Sequence, residues 1–92
     1  MIKSFSYKGL EAFFYDGTKK GIQSKHAQKL EDILDRLNAA ETVKDMQYPG
    51  SNLHQLKGNK KDHWSVKGSG NWRIIFEFTD GNVYVVDYLD YH

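Results

Sequence analysis

Cysteine is absent from this 92-residue chain, and proline occurs only once. Without cysteine the chain can form neither disulfides nor thiolate metal sites, so we expect a reduced, cytoplasmic protein. Residues 1–10 hold no apolar run of signal-peptide length, and no segment approaches the ~20 apolar residues of a membrane span. The length favours one domain covering 1–92, whose modest core leaves no room for a deep cofactor cavity. We therefore expect no cofactor and no membrane partner.

A large excess of charge of one sign is also missing, since the formal net charge is only +1. The charged residues are nevertheless unevenly distributed along the chain. Residues 52–79 contain five lysines or arginines and two histidines against two acids, whereas residues 80–92 contain three acids and no lysine or arginine. A local cationic patch is what phosphate binding requires, although a solvated, charged sheet face would give the same pattern.

The N-terminal half of the chain has helical periodicity. Apolar residues at i, i+3 and i+4 from Leu10 predict a first helix that ends near Gly17. Ser24 is the predicted N-cap of a second helix, on which we interpret His26 as solvated. The apolar stripe of that helix consists of Ala27, Leu30, Ile33, Leu34, Leu37 and Ala40. Residues 2–5 suggest a short opening strand.

Beyond the turn signal Pro49-Gly50 the pattern changes to short aromatic and β-branched runs. Four strands are predicted, at residues 53–57, 63–67, 71–79 and 82–88. Asp80-Gly81 tolerates the positive φ of a type I′ turn, so the last two strands should form a hairpin. Helices followed by a meander predict an α+β fold, with two N-terminal helices on one face of a small, twisted, mainly antiparallel sheet. The other face should be open, partly apolar and partly cationic.

Three segments carry side chains suited to cutting RNA without a metal. That reaction needs a base for the ribose 2′-OH, cations for the pentavalent phosphorane and an acid for the leaving 5′-oxygen. Histidine suits proton transfer near neutral pH, and arginine and lysine suit the phosphorane. The candidate catalytic residues are His54, Lys57, Arg73, Asp90, Tyr91 and His92. Taken singly, each also has an ordinary explanation as a residue of a solvated strand or tail.

Two further lysines are candidates for substrate binding, and the histidines bear on whether a metal site is expected. Lys60 and Lys61 lie in the same basic stretch and are candidate substrate-binding residues. The four histidines form no i, i+4 pair of the kind that holds zinc on a helix, so no metal site is expected.

Four ordered blocks of the sequence resemble the HigB toxins of type II toxin–antitoxin systems, within the RelE/ParE superfamily. The blocks are LHQLKG at 53–58, HWSV at 63–66, NWRI at 71–74 and DYLDYH at 87–92. The opening MIKSF and KGL at 8–10 also fit, so the resemblance covers the whole chain. Its most specific element is the closing Asp-Tyr-His.

The resemblance implies a RelE-like toxin that is a ribosome-dependent, metal-independent mRNA endoribonuclease. It would cut the codon in the A site of the 70S ribosome, with the 2′-OH of the message as nucleophile, and so inhibit translation. By matching position, the six candidate residues would form the active site and Asn71 would support substrate binding. The implied partner is a HigA-type helix-turn-helix antitoxin, and no direct DNA contact by the toxin itself is expected. Gly68 and Gly70 depart from many relatives, which predicts a looser hairpin.

Two other classes of function stay open. ParE-type relatives share this fold and inhibit DNA gyrase through protein contacts, but they lack this concentration of His, Lys and Arg with a terminal Asp-Tyr-His. A non-catalytic RNA- or ribosome-binding module would need only the basic patch. An acid such as Asp90 beside the cations favours acid–base chemistry over binding alone.

Overall fold

Helices come first and strands second along this chain. The computed structural model describes residues 1–58 and 62–90. Within them, α1 spans Lys8–Asp16 and α2 spans Ala27–Ala39, with 3₁₀ turns at Ser24–His26 and Val43–Met46. The strands are β1 (His54–Gln55), β2 (His63–Lys67), β3 (Trp72–Thr79) and β4 (Asn82–Asp90). The sheet order is β1-β2-β3-β4 with antiparallel neighbours, which confirms the predicted α+β fold.

The core lies between α2 and one face of the sheet. The predicted apolar stripe of α2 is buried, and on the sheet side the fully buried residues are Val66, Ile74, Phe76, Val83 and Val86. Burial of one aliphatic side chain of this size contributes about 1.5–3 kcal/mol, so this layer dominates the stability of the fold. In the part of the chain that the structure describes, neither helix combines the length and apolarity needed to cross a membrane.

The ends of the helices follow the predicted signals only in part. Gly17 adopts φ +74° after α1, and its N–H donates to the Phe13 carbonyl over 3.0 Å, as expected of a glycine C-cap. The prediction that Ser24 caps α2 through its side chain is wrong. Ser24 opens a 3₁₀ turn instead, and its backbone carbonyl accepts the N–H of Ala27. The backbone carbonyl of Ser24 therefore accepts an N–H that the Ser24 hydroxyl was expected to accept.

The predicted opening strand forms only two isolated parallel bridges with β4, Ile2 to Val83 and Phe5 to Val86. Between these bridges β4 bulges at Val85, a β-branched residue held at φ +49°. The Val85 N–H donates to the Ser4 hydroxyl over 2.9 Å rather than to a backbone carbonyl. The bulge breaks the ladder, so residues 2–5 dock on the sheet without extending it as a regular strand.

Both predicted hairpins form, and the β-bulge lies in the β3–β4 pair. Asp80 and Gly81 have φ +52° and +78°, so the positive φ values expected of this turn are confirmed. In the other hairpin the pairing of β2 with β3 runs without interruption, and the Gly68 N–H donates to the Trp72 carbonyl over 2.8 Å. The two hairpins thereby set which residues of β3 face the helices. Ile74 and Phe76 face the core, and Arg73 and Ile75 face the opposite side.

Candidate active site

His54 and Arg73 lie on the sheet face that points away from the helices. His54 pairs with Ser65, and Ser65 pairs with Ile75, so these three side chains form one row across β1, β2 and β3. Arg73 is two residues from Ile75 on the same strand and therefore shares this face. Two strand spacings and two residue rises separate the backbones of His54 and Arg73 by roughly 12 Å. A ligand lying across this face would be within reach of both side chains.

The imidazole of His54 is held at both ring nitrogens. A carbonyl can only accept, so the Nδ1–H of His54 donates to the Asn52 carbonyl over 3.2 Å. In the neutral ring this leaves Nε2 as the acceptor, and the Ser65 hydroxyl lies 3.3 Å from it. Ser65 is fully buried, although the face it belongs to was expected to be open. Ser65 was not among the predicted site residues, because only the strand register shows that it lies opposite His54.

Arg73 carries a hydrogen-bond donor that none of the described residues pairs with. Its Nη1 is shielded from solvent and has no hydrogen-bond partner among the described residues. A buried donor of a charged group without an acceptor is costly, and it is suited to an anion that completes the pair. Its cross-strand neighbours are Lys67 on β2 and Leu89 on β4, which add one further cation to this region.

Asp90 is the last residue of β4 and pairs with Trp72. Since neighbouring residues of a strand alternate in direction, Asp90 lies on the side of Trp72 and Tyr88, and Arg73 points to the opposite side. The Asp90 carboxylate and the Arg73 guanidinium lie near the same end of the sheet but project from opposite faces. Both can contact one substrate only if that substrate passes around the end of the sheet.

The remaining predicted site residues are distributed along the sheet. Asn71 is exposed and directly precedes β3, at the end of the sheet where Asp90 lies. Lys57 is exposed beyond β1, where the Leu56 N–H donates to the His63 carbonyl, so the chain there runs away from Arg73. The predicted residues Lys60, Lys61, Tyr91 and His92 lie outside the described residues.

The prediction that His26 is solvated is wrong. His26 is only 5% exposed, and its Nδ1 lies 2.7 Å from the Tyr88 hydroxyl. The helical spacing already indicates this burial, because His26 is four residues before Leu30 and seven before Ile33 and so belongs to the buried stripe. Burial raises the pKa of Tyr88 to about 12, and the negative charge of Asp90 adds to the shift.

Two further observations bear on other kinds of site. Among residues 1–58 and 62–90, no group of three or more His, Asp or Glu could hold a metal ion. A cavity of about 280 Å³ lies between the helices, lined in part by Phe13, Phe14 and Leu34. None of the predicted site residues that the structure describes lines it, so we do not assign the chemistry there.

Comparisons with known proteins give the family. The family model for the RelE-like toxin of the type II toxin–antitoxin system HigB matches residues 3–92. The chain belongs to the HigB-like toxin family. The resemblance seen in the sequence blocks is thereby confirmed, and membership of a type II toxin–antitoxin family implies an antitoxin as partner.

Two curated relatives match this HigB-like chain over its full length. "Endoribonuclease HigB" of Proteus vulgaris is 36% identical over 92 residues and is covered completely, as is this chain. "Toxin HigB-1" of Vibrio cholerae serotype O1 is 34% identical over 94 residues, which cover 100% of this chain and 98% of that protein.

Proposed function

We propose that this HigB-like toxin is a ribosome-dependent mRNA endoribonuclease that cuts the codon in the ribosomal A site and so inhibits translation in the cytoplasm. The observation that carries the proposal is that two side chains share one sheet face. These are the His54 imidazole, with its proton on Nδ1, and the Arg73 guanidinium, with a buried donor that no described residue accepts from. Support comes from the full-length relative named as an endoribonuclease.

In the proposed reaction the 2′-oxygen of the message attacks the adjacent phosphorus and loses its proton, and the bond to the 5′-oxygen breaks as that oxygen gains a proton. Arg73 binds the phosphorane oxygens through its unpaired Nη1–H, where a positioned donor is worth about 10²–10³-fold in rate. His54 transfers a proton at Nε2 or contacts the phosphate there, once that atom exchanges the Ser65 hydroxyl for substrate. The carbonyl of Asn52 keeps the ring in the required tautomer.

The other proposed residues complete the acid–base set. Asp90 transfers a proton at the end of the sheet, His92 also takes part in proton transfer, and Tyr91 contacts a base or a phosphate. Lys57, with Lys60 and Lys61, contributes positive charge toward the RNA backbone, and Asn71 supports the substrate beside Asp90. Because such contacts release counterions from RNA, binding should weaken steeply as salt concentration rises. The proposed antitoxin is a HigA-type helix-turn-helix protein.

A reconstituted cleavage assay tests this function. The purified protein is mixed with mRNA that is either free or bound in the A site of purified 70S ribosomes, and new 5′ ends are mapped by primer extension. We expect cuts within the A-site codon only in the ribosome-bound message. His54→Ala should reduce the rate by about 10²–10⁴-fold, as removal of a general acid–base group does. Lys29→Met is the control, because Lys29 is an exposed cation on α2, on the other side of the sheet from His54 and Arg73.

The outcomes separate the alternatives. Equal cutting of free and ribosome-bound RNA would show that the ribosome is not required. Intact messages in cells whose growth the protein arrests would exclude the nuclease and favour the gyrase-directed toxin. Ribosome binding without any cleavage would leave the non-catalytic module as the explanation.

A further inference from the structure

A buried polar pair joins the helical layer to the end of β4. The Nδ1 of His26 and the hydroxyl of Tyr88 are 2.7 Å apart although the two residues are separated by 62 positions in the sequence. The tautomer of the ring decides which of them donates. A leucine and a phenylalanine would fill the same space without desolvating polar atoms. Satisfied polar pairs inside a core favour one arrangement of the packed elements over others, so this pair can fix a position rather than only fill volume.

Two aromatic contacts hold the Tyr88 ring in place. Trp72 stacks on it with centroids 4.5 Å apart and an interplanar angle of 25°. His26 meets both rings edge to face, at 5.8 Å from Trp72 and 6.0 Å from Tyr88. We call His26, Trp72 and Tyr88 the aromatic cluster. Each ring comes from a different element, and contacts of this kind add about 0.5–1.5 kcal/mol per aromatic pair beyond area burial.

The β2–β3 hairpin also packs against the Tyr88 ring. A Cβ built on Gly68 would lie 3.3 Å from Cε1 of Tyr88 and 3.1 Å from the Trp72 carbonyl oxygen. Gly68 therefore lets the hairpin backbone approach the ring more closely than a side chain would allow. The departure at Gly68 noted in the sequence thus has a packing reason, and Tyr88 has little freedom to move.

The aromatic cluster is adjacent to the acid of the proposed site. Asp90 follows Tyr88 by two residues on the same side of β4, and its cross-strand partner is Trp72. Its carboxylate is close enough to affect the ionisation of the Tyr88 phenol. Asp90 is therefore next to two of the three rings, Trp72 across the strands and Tyr88 along β4.

We propose that the aromatic cluster positions Asp90, with the hydrogen bond between His26 and Tyr88 fastening the end of β4 to the helical layer. His26 and Tyr88 are then positioning residues for the nuclease, and this inference rests on the proposed function. Neither touches the message. They act by keeping the acid at a fixed distance from the reacting phosphate, and misplacement of a catalytic group by about 1 Å can cost up to 10²-fold in rate.

Single-atom and matched variants test this proposal in the ribosome cleavage assay. Tyr88→Phe deletes only the hydroxyl and keeps the stacked ring. His26→Leu removes the partner nitrogen, and His26→Asn restores a polar atom near the position of Nδ1. We expect Tyr88→Phe and His26→Leu to lower kcat about 10-fold with KM changed by less than about 2-fold. His26→Asn should recover most of the loss.

Tyr48→Phe is the control, because it also deletes a buried phenol hydroxyl. The Tyr48 hydroxyl has no partner among the described residues, and its ring lies 4.4 Å from the Arg36 guanidinium, away from the aromatic cluster. Its kcat should match that of the wild type. Wild-type kcat in folded Tyr88→Phe would overturn the proposal, as would equal losses in the Asn and Leu variants of His26.

A second measurement tests the fastening of β4 without depending on the proposed nuclease activity. Amide hydrogen exchange of Leu89, which pairs with Arg73 of β3, is measured in the wild type, Tyr88→Phe and Tyr48→Phe. We expect exchange about 10-fold faster at this amide in Tyr88→Phe only, whether or not the wild type cuts RNA. Unchanged exchange would overturn the positioning role even if the nuclease is established. Faster exchange with an inactive wild type would contradict the nuclease and leave the fastening of β4 supported.

Discussion

Replacing Arg73 by methionine should change stability and activity in opposite directions. The Nη1 of Arg73 is buried without a hydrogen-bond partner among the described residues, so the folded protein carries the cost of desolvating that donor. Methionine keeps the aliphatic stem that packs on the sheet face and removes the charge. The substitution should therefore stabilise the fold while it removes the proposed phosphate contact.

The burial of the Arg73 donor sets the size of the change in stability, and its proposed contact with the phosphorane sets the size of the change in activity. An unsatisfied buried polar group costs about 1–3 kcal/mol, and the lower end applies because Arg73 is only half-buried. A gain of about 1 kcal/mol raises Tm by roughly 4–8 °C in a domain of this size. On the proposed function, loss of one positioned donor to the phosphorane lowers kcat by about 10²–10³-fold.

Thermal unfolding followed by circular dichroism measures the first effect, and the ribosome cleavage assay measures the second. Lys29→Met is the control, since it removes an exposed cation from α2, on the other side of the sheet from Arg73, and should alter neither quantity much. A lower Tm in Arg73→Met would refute the argument, because it would show that the guanidinium stabilises the sheet. Undiminished cutting would remove Arg73 from the proposed site.

Three further substitutions test other parts of the structure. Ser65→Ala removes one of the two contacts of the His54 ring and should reduce kcat roughly 10-fold, less than loss of the imidazole itself; an unchanged kcat would remove Ser65 from the site. Tyr88 holds its proton to about pH 12 when folded, against about 10 when unfolded, so the unfolding free energy should fall as pH rises between these values. Tyr88→Phe should flatten that decline in denaturant titrations across this pH range, and an unchanged slope would contradict the assignment. Phe76→Ala, at the fully buried centre of β3, should cost about 3–5 kcal/mol of unfolding free energy, and a loss below 1 kcal/mol would refute the core described above.

Local patterns in the sequence were sufficient for most of the fold. The 3.6-residue period of α2, the glycine at the end of α1 and the Asp80-Gly81 turn each act through neighbouring residues, so the chain itself determines them. The same holds for β3, where the two-residue alternation of a strand puts Ile74 and Phe76 on one face, the face that packs on the helices. The ordered blocks that carried the family resemblance are likewise a property of sequence alone, and the family match confirms them.

Only the tertiary structure decided how the candidate site is arranged. The contacts of His54 with Ser65 and of His26 with Tyr88 join residues 11 and 62 positions apart, and no local pattern specifies such pairs. The separation of Arg73 and Asp90 onto opposite faces depends on strand register, because a shift of one residue would exchange the faces. Side-chain chemistry can be read from the sequence, whereas the distances at which it acts arise from long-range pairing of the strands.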